Sequence, residues 1–457
     1  MKARKTASSI GTGVPVHGSR KRSRVLRAAG VGAAFTFSLA SVAASAGAST
    51  RASSPASSGG SVVIADLSPF TGPDAALGPG YLAGCFSASY VIDSHGGING
   101  KTIQCKVFDT RGDPADAVPA ARQMFASTQN LFMVVGPTSD EASAVVPIIN
   151  AQKTVVFSGT GQSEFDKSPF PYFFRLTPPD IDTAYAMIAA AHFRYHYKKV
   201  ALAFGNDIGS QTFVSPAIQA IKTLHMTLAS NVSLDLTATS YRSEVAKIVA
   251  SHPDVILTEA LGPADAIFLS EVKQLNGGKM IPVLGTSATI DPIWYTAVAA
   301  AVGAQTLQNN FAAATLGIEN SGPAYRTFAA AIIAEKKNIS NYTKYLTHPQ
   351  TLHFYDAVTL AALAAVEAKS NVSSEYKKYI KPIANGVPGA TVVTSFAEGV
   401  KLIKQGKAIR YIGPGGPTNF DKWNNSSVNF QLDKYGPGGS TVLLGSVPNS
   451  EIKAAAG

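Results

Sequence analysis

Residues 62–114 read VVIADLSPFTGPDAALGPGYLAGCFSASYVIDSHGGINGKTIQCKVFDTRGDP. The run 62–67 is short and apolar and is closed off by Pro69, Gly72 and Pro73, the pattern of a buried strand. A loop rich in Gly and Pro follows, and then Leu82, Cys85, Ser89 and Ile92 recur at helical spacing. Gly96, Gly97 and Gly100 end that helix and turn the chain, because glycine reaches positive φ without steric cost. Residues 103–108 form a second strand candidate, and Asp113-Pro114 has the order of a helix cap and first helical residue. The unit is β-loop-α-turn-β, and ligands of such units sit at the loops that follow the strands.

The same alternation extends outward. Residues 131–135 suit a strand, followed by Gly136-Pro137 and a helix from about Glu141; residues 154–157 suit another, followed by the loop SGTGQSE. The segment FPYFFRLTPPD, residues 170–180, has prolines at both ends and marks a change of lobe, after which 181–197 reads as helix. A second series starts at Lys199, with strands at 200–204, 232–236, 255–258 and 281–284 and helices at 211–225, 244–250 and 264–275. Strands and helices alternating at this length indicate an α/β chain with mainly parallel sheets, and two such series indicate two similar lobes. From residue 311 the pattern shifts to helices at 323–337 and 355–368, then to a turn-rich tail, GPGGPTNFD and DKYGPGGS, that ends in a short strand at 441–444.

A chain of 457 residues with 46% hydrophobic and 15% charged content is folded and long enough for more than one core. Its formal charge of +10 suggests nucleic acid, but the location of the charge argues otherwise. Lys2, Arg4, Lys5, Arg20, Lys21, Arg22, Arg24 and Arg27 all fall in residues 1–48, which hold no acid; the remainder carries 31 basic against 29 acidic residues. Nucleic acid is therefore not an expected partner. The basic start, the uncharged run 28–50 and the small residues around Ala44-Ser45-Ala46 and Ala46-Gly47-Ala48 have the layout of a cleavable secretory signal over 1–48. A membrane anchor is the alternative, although the run is rich in Ala, Ser and Gly rather than Leu or Ile. Residues 49–60, STRASSPASSGG, read as a flexible linker. The expected location is periplasmic or extracellular, without a lipid-bearing cysteine and with membrane contact only through a partner. Export bears on the two cysteines, Cys85 and Cys105, which sit on neighbouring elements of one βαβ unit. An oxidising compartment permits a disulfide between them; two buried free thiols are the alternative.

Catalytic patterns are missing. HGGINGKT has His95 where a phosphate-binding loop needs its first glycine, and GPGYLAG is one residue too long for G-x-G-x-x-G. There is no G-x-S-x-G elbow and no H-E-x-x-H. His192 and His196, four apart, have Arg194 and Lys198 around them and no acidic ligand, which suits a solvated helix face better than a metal. No metal, no cofactor and no enzymatic activity are expected.

The stretch from Leu67 through TGP, together with GGINGKTIQCKVFDTRGDP, resembles type I solute-binding proteins, the extracytoplasmic receptors of branched-chain amino acid and amide ABC importers. The similarity continues through VVGPTSDEASAVVPIIN, FPYFFRLTPPD, PDVILTEALGPADA, FYDAVTLAALAAVEA and GPTNFD, covering nearly all of residues 62–432. It implies two Rossmann-like lobes joined by a three-crossover hinge, the type I periplasmic binding protein fold. Lobe one would comprise 61–177 plus 310–413, and lobe two 178–309 plus 414–457. It also implies a ligand closed between the lobes, with hydroxyls and backbone N–H groups from Ser139, Ser158, Thr160 and Gly161 offered to a ligand carboxylate. Turn chemistry or helix capping by Ser139 and Thr160 is the alternative.

The departures from the family are equally informative. Amino-acid binders of this kind pair the ligand ammonium with an acid after the strand at 281–284, where this chain has Ser287 in GTSAT, with Asp291 four residues on. Leu77, Ile208 and Leu261 stand where tyrosines are common. The expected cleft is therefore more apolar, and the expected ligand is an apolar carboxylate, an amide or an aromatic acid rather than an ordinary amino acid. The leading function is capture of a small organic ligand and delivery to an ABC permease. A ligand sensor acting on a signalling partner and a secreted enzyme on the same fold are the alternatives.

Overall fold

The computed structural model describes residues 59–427 and 429–457, so the expected signal over 1–48 and most of the expected linker lie outside the described residues. The first sheet has the order β2-β1-β3-β4-β5, built from β1 (Ser61–Ser68), β2 (Thr102–Asp109), β3 (Leu131–Val135), β4 (Val156–Ser158) and β5 (Phe173–Arg175). All its pairings are parallel. β1 is buried along nearly its whole length, and its side chains alternate between two cores. Val62 and Ile64 enter one core, and Ala65 and Leu67 the other. This is the period of two that a central strand needs when helices cover both faces.

The second sheet contains β6 (Lys199–Gly205), β7 (Thr227–Leu234), β8 (Val255–Glu259), β9 (Val283–Gly285) and β10 (Phe311–Leu316). Its order is β16-β15-β10-β9-β8-β6-β7, where β15 (Phe430–Tyr435) and β16 (Thr441–Val447) are the only antiparallel members. β6 repeats the logic of β1, with Val200, Leu202 and Phe204 in one core and Ala201 and Ala203 in the other. Two short pairs complete the strands, β11 (Thr391–Val393) with β12 (Ile409–Tyr411) and β13 (Asn419–Phe420) with β14 (Ser426–Ser427). The chain crosses between sheets three times, after β5, after β10 and after β14. This is the expected α/β fold with two mainly parallel lobes and a three-crossover hinge.

The crossover points differ from the expected boundaries. Residues 311–316, assigned above to lobe one, are β10, which pairs with β9 and β15 in the second sheet. Residues 414–427, assigned to lobe two, stay with lobe one: Phe420 lies in its core, and Arg175 of β5 bridges to Asn425. The apolar run 311–316 carries no mark of the sheet it joins; only the pairing decides that.

Lobe one owes its solidity to the helix Pro349–Ala368, buried over most of its length against the helix Gly78–Ser94. Gly80 and Gly84 of GPGYLAG serve this contact. A side-chain carbon on Gly84 would sit 2.8 Å from the Thr351 carbonyl oxygen and 2.9 Å from Phe354 Cβ; one on Gly80 would meet the His348 ring at 3.0 Å. Cys85, on the same helix, is bonded to Cys105 of β2, with 6.2 Å between their Cα atoms. The disulfide thus staples the opening βαβ unit. Asp113 caps the helix Pro114–Ser127 as its sequence suggests, its Oδ1 accepting from the N–H groups of Ala115 (2.7 Å) and Asp116 (3.3 Å). His192 falls in a π-helical turn, Ala190–Arg194, and His196 lies beyond it at φ 57°, so the two do not share a regular helix face. Among the described residues no helix is long and apolar enough to cross a membrane.

Replacing Gly84 by Ala forces two buried helices apart, and we expect a loss of about 1–3 kcal/mol of stability in urea unfolding. A neutral result would show that the helices give way without cost.

Candidate functional site

The C-terminal ends of the parallel strands of both sheets face one cavity of about 100 Å³. That volume holds a small molecule, given that a single water needs about 10–15 Å³ on the same measure. From lobe one come Asp74 and Leu77 after β1, Thr138, Ser139 and Asp140 after β3, Gly159 and Gly161 after β4, and Gln350 from the long helix. Thr177 follows β5 at the crossover. From lobe two come Asp180, Asp207, Gly209, Ser210 and Phe213, Glu259 at the end of β8, Leu261, and Ser287 after β9. Tyr81 and Trp294 add two further aromatic rings. The lobes touch at the cavity rim, where the Gly209 N–H donates to Asp140 Oδ1 at 2.7 Å and the Asp180 N–H to the Gly161 carbonyl at 2.8 Å.

Of the residues expected to bind ligand, Leu77, Ser139, Gly161, Leu261 and Ser287 line the cavity. Ser158 and Thr160 stand behind its wall, both fully buried. Ser158 Oγ donates to the Pro137 carbonyl at 2.8 Å and accepts from the Thr160 N–H at 3.1 Å. Thr160 Oγ1 accepts from the Gln162 N–H and lies 3.3 Å from Ser139 Oγ, so it orients Ser139 rather than a ligand. Ile208 is 54% exposed and does not line the cavity. Asp291 is no ammonium partner either. It caps the helix Pro292–Val302 through Ile293 and Trp294 N–H groups, and its other oxygen lies 3.7 Å from His348.

The cleft is apolar in part, with Leu77, Tyr81, Phe213, Leu261 and Trp294 in its wall, but it also carries acids that the sequence reading did not single out. Five carboxyl groups, Asp74, Asp140, Asp180, Asp207 and Glu259, line the cavity, and no Lys, Arg or His does. Burial pushes the Asp74 carboxyl up to about 9, with the charges of Asp140, Asp207 and Glu141 adding to it. Burial, then Asp207, raises Asp140 to about 7 against the pull of the Gly209 N–H. Burial raises Asp180 to about 7, although Thr212 Oγ1 donates to it at 2.5 Å. Glu259 is held well above its ordinary value by burial, despite a hydrogen bond from Thr286. Acidic side chains crowd the start of the helix Ser139–Ala151. Glu141 takes the Thr138 N–H at 3.1 Å and the Thr138 hydroxyl at 2.7 Å, and Asp140 occupies the same first turn.

Each acid was in plain view: TGPDAA, PTSDEAS, TPPD, GNDIG and TEALGP each carry one at a strand end. The usable signal was the recurrence of an acid in five such loops with no base among them.

A model of the periplasmic binding protein family matches residues 61–427. The chain belongs to that family. No curated protein matches the sequence. Among solved structures, a leucine-binding protein from Thermotoga maritima is similar with a TM-score of 0.68 and 16% identity, over 85% of this chain and 99% of that one. A branched-chain amino acid transporter substrate-binding protein from Streptococcus pneumoniae, in complex with isoleucine, is similar at 0.65 and 17%, over 84% and 99%. An ABC transporter solute-binding protein from R. palustris, in complex with benzoate, is similar at 0.65 and 18%, over 85% and 96%. At such identities the likeness is one of fold.

The raised carboxyl values have a consequence for the empty protein. A group whose pKa is higher folded than unfolded stabilises the fold at low pH and loses that contribution as pH rises toward its folded value. Asp74→Asn removes one such group. Its gain in stability over the parent should be roughly 1–4 kcal/mol larger at pH 8 than at pH 5, read by unfolding of ligand-free protein. An equal effect at both pH values would contradict the Asp74 assignment.

Proposed function

We propose that this protein is an extracytoplasmic solute-binding protein that captures a small organic solute between its lobes and presents it to an ABC permease. One observation carries the reading: a single cavity is ringed by the strand-end loops of both sheets and shut by the Asp140–Gly209 hydrogen bond across the lobes. A solute that contacts both lobes favours the closed arrangement over the open one by its differential affinity, which is how such a receptor signals occupancy. Residues behind the wall, such as Ser158 and Thr160, hold the loops; Ser139, Gly161, Leu77, Leu261 and Ser287 stand where a solute would touch. The family description and the transporter roles of the similar structures support delivery to a permease.

Trp294 lines the cavity, and the only other tryptophan is Trp423. In a Trp423→Phe protein, addition of small-molecule extract from the source cells should change the emission of Trp294 and lower the radius of gyration in X-ray scattering. Asp140→Ala, which loses the cross-lobe acceptor, should shift the empty protein toward the larger radius. An extract that changes neither signal would refute solute capture.

A further inference from the structure

We propose that His348 and Asp291 form a one-proton latch between the lobes, which favours closure while the proton is present and opposes it once the proton is lost. The latch concerns closure itself and needs no solute, so it stands or falls apart from solute capture. His348 precedes the long helix of lobe one, and Asp291 follows β9 of lobe two. Both are buried, at 4% and 1% exposure, and His348 Nε2 lies 3.7 Å from Asp291 Oδ2.

The hydrogen bonds around the pair fix which atoms carry hydrogen. The Thr351 hydroxyl donates to the Gly80 carbonyl at 2.9 Å, so it can only accept from His348 Nδ1, 3.0 Å away. Nδ1 therefore holds the imidazole hydrogen, and neutral His348 turns the lone pair of Nε2 toward lobe two. Asp291 Oδ1 is taken by the N–H groups of Ile293 (2.6 Å) and Trp294 (3.2 Å). That leaves Oδ2 toward His348, with no hydrogen bond to any described residue. An ionised Asp291 would set lone pair against lone pair; one proton, on either atom, makes the contact attractive.

Burial places that proton on the acid, since it pushes Asp291 up to about 7 and His348 down to about 4. The other groups around the pair do not replace it. Lys344 of lobe one draws Asp291 toward ionisation, but less than burial opposes it, and its ammonium lies 5.8 Å from the Tyr295 ring of lobe two. Tyr345 of lobe one packs edge-on against His348, and Tyr435 of lobe two donates to the Thr289 carbonyl. Burial raises both phenols, so they stay neutral. Apart and in water, a His and an Asp have ordinary values of about 6.5 and 3.9, and between these the open pair holds one proton, as the closed pair does. Above about 6.5 the open pair holds none, so closing takes one up, and the latch is lost as pH rises through the closed value of about 7.

The test is X-ray scattering at pH 5.5 and pH 8.5 of the full chain, unfolded and refolded to strip carried-over solute. Asp291→Asn keeps the helix cap through its oxygen and offers an N–H to His348 at either pH. The cavity acids are common to parent and variant, so the comparison isolates the latch. Relative to Asp291→Asn, the closed-to-open ratio of the parent should fall at least about threefold from pH 5.5 to pH 8.5, seen as a larger radius of gyration. The double variant Asp291→Asn, His348→Gln has no titrating group at this contact, and the parent should fall against it by a similar factor. A parent-to-variant ratio that stays level or rises with pH in either comparison would overturn the latch.

Discussion

The constraint that the site must meet is the burial of carboxyl groups where two sheets end, with no base among the lining residues. Asp74, Asp140, Asp180, Asp207 and Glu259 face one small cavity that closes over them. Burying an ionised carboxylate without a counter-charge costs several kcal/mol, so a folded, empty cavity of this kind keeps part of its acid protonated. The raised values of Asp74, Asp140, Asp180 and Glu259 express that cost. The same groups therefore limit the stability of the ligand-free protein as pH rises.

The fold makes this arrangement possible by doing the same thing twice. In each lobe a central strand is buried on both faces, β1 in one and β6 in the other, and its C-terminal end delivers a loop to the cavity. Loops at strand ends are fixed by the rigid sheet beneath them, so acids on different strands are held close despite their repulsion. The frame that resists this repulsion in lobe one is the Gly80 and Gly84 contact between two buried helices, reinforced by the Cys85–Cys105 bond. In lobe two the long β8–β6–β7 register performs that task.

The architecture was legible in the sequence because it rests on periodicity. Apolar runs at 62–67 and 200–204, Gly-Pro punctuation and Asp113-Pro114 each encode a local structure that the fold retains. The boundary at β10 was not legible, since strand pairing is a long-range property and an apolar strand fits either sheet. At the site the loops were legible, and so were Leu77, Ser139, Gly161, Leu261 and Ser287, which line the cavity. Ile208 does not line it, and Asp74, Asp207 and Glu259, which share loops with Leu77, Ile208 and Leu261, were passed over. Which loop neighbours join the wall is set by local turn geometry that spacing does not reveal. Gln350 and Thr177 were invisible for another reason: they reach the wall only through tertiary packing, from the helix Pro349–Ala368 and from the crossover after β5.

Solute capture between the lobes is tested most directly by mass spectrometry of the small molecules that leave the purified protein on denaturation. A stoichiometric organic solute, depleted in Asp140→Ala, is the predicted result. A protein that releases none, and whose Trp294 emission no cell extract moves, would contradict it.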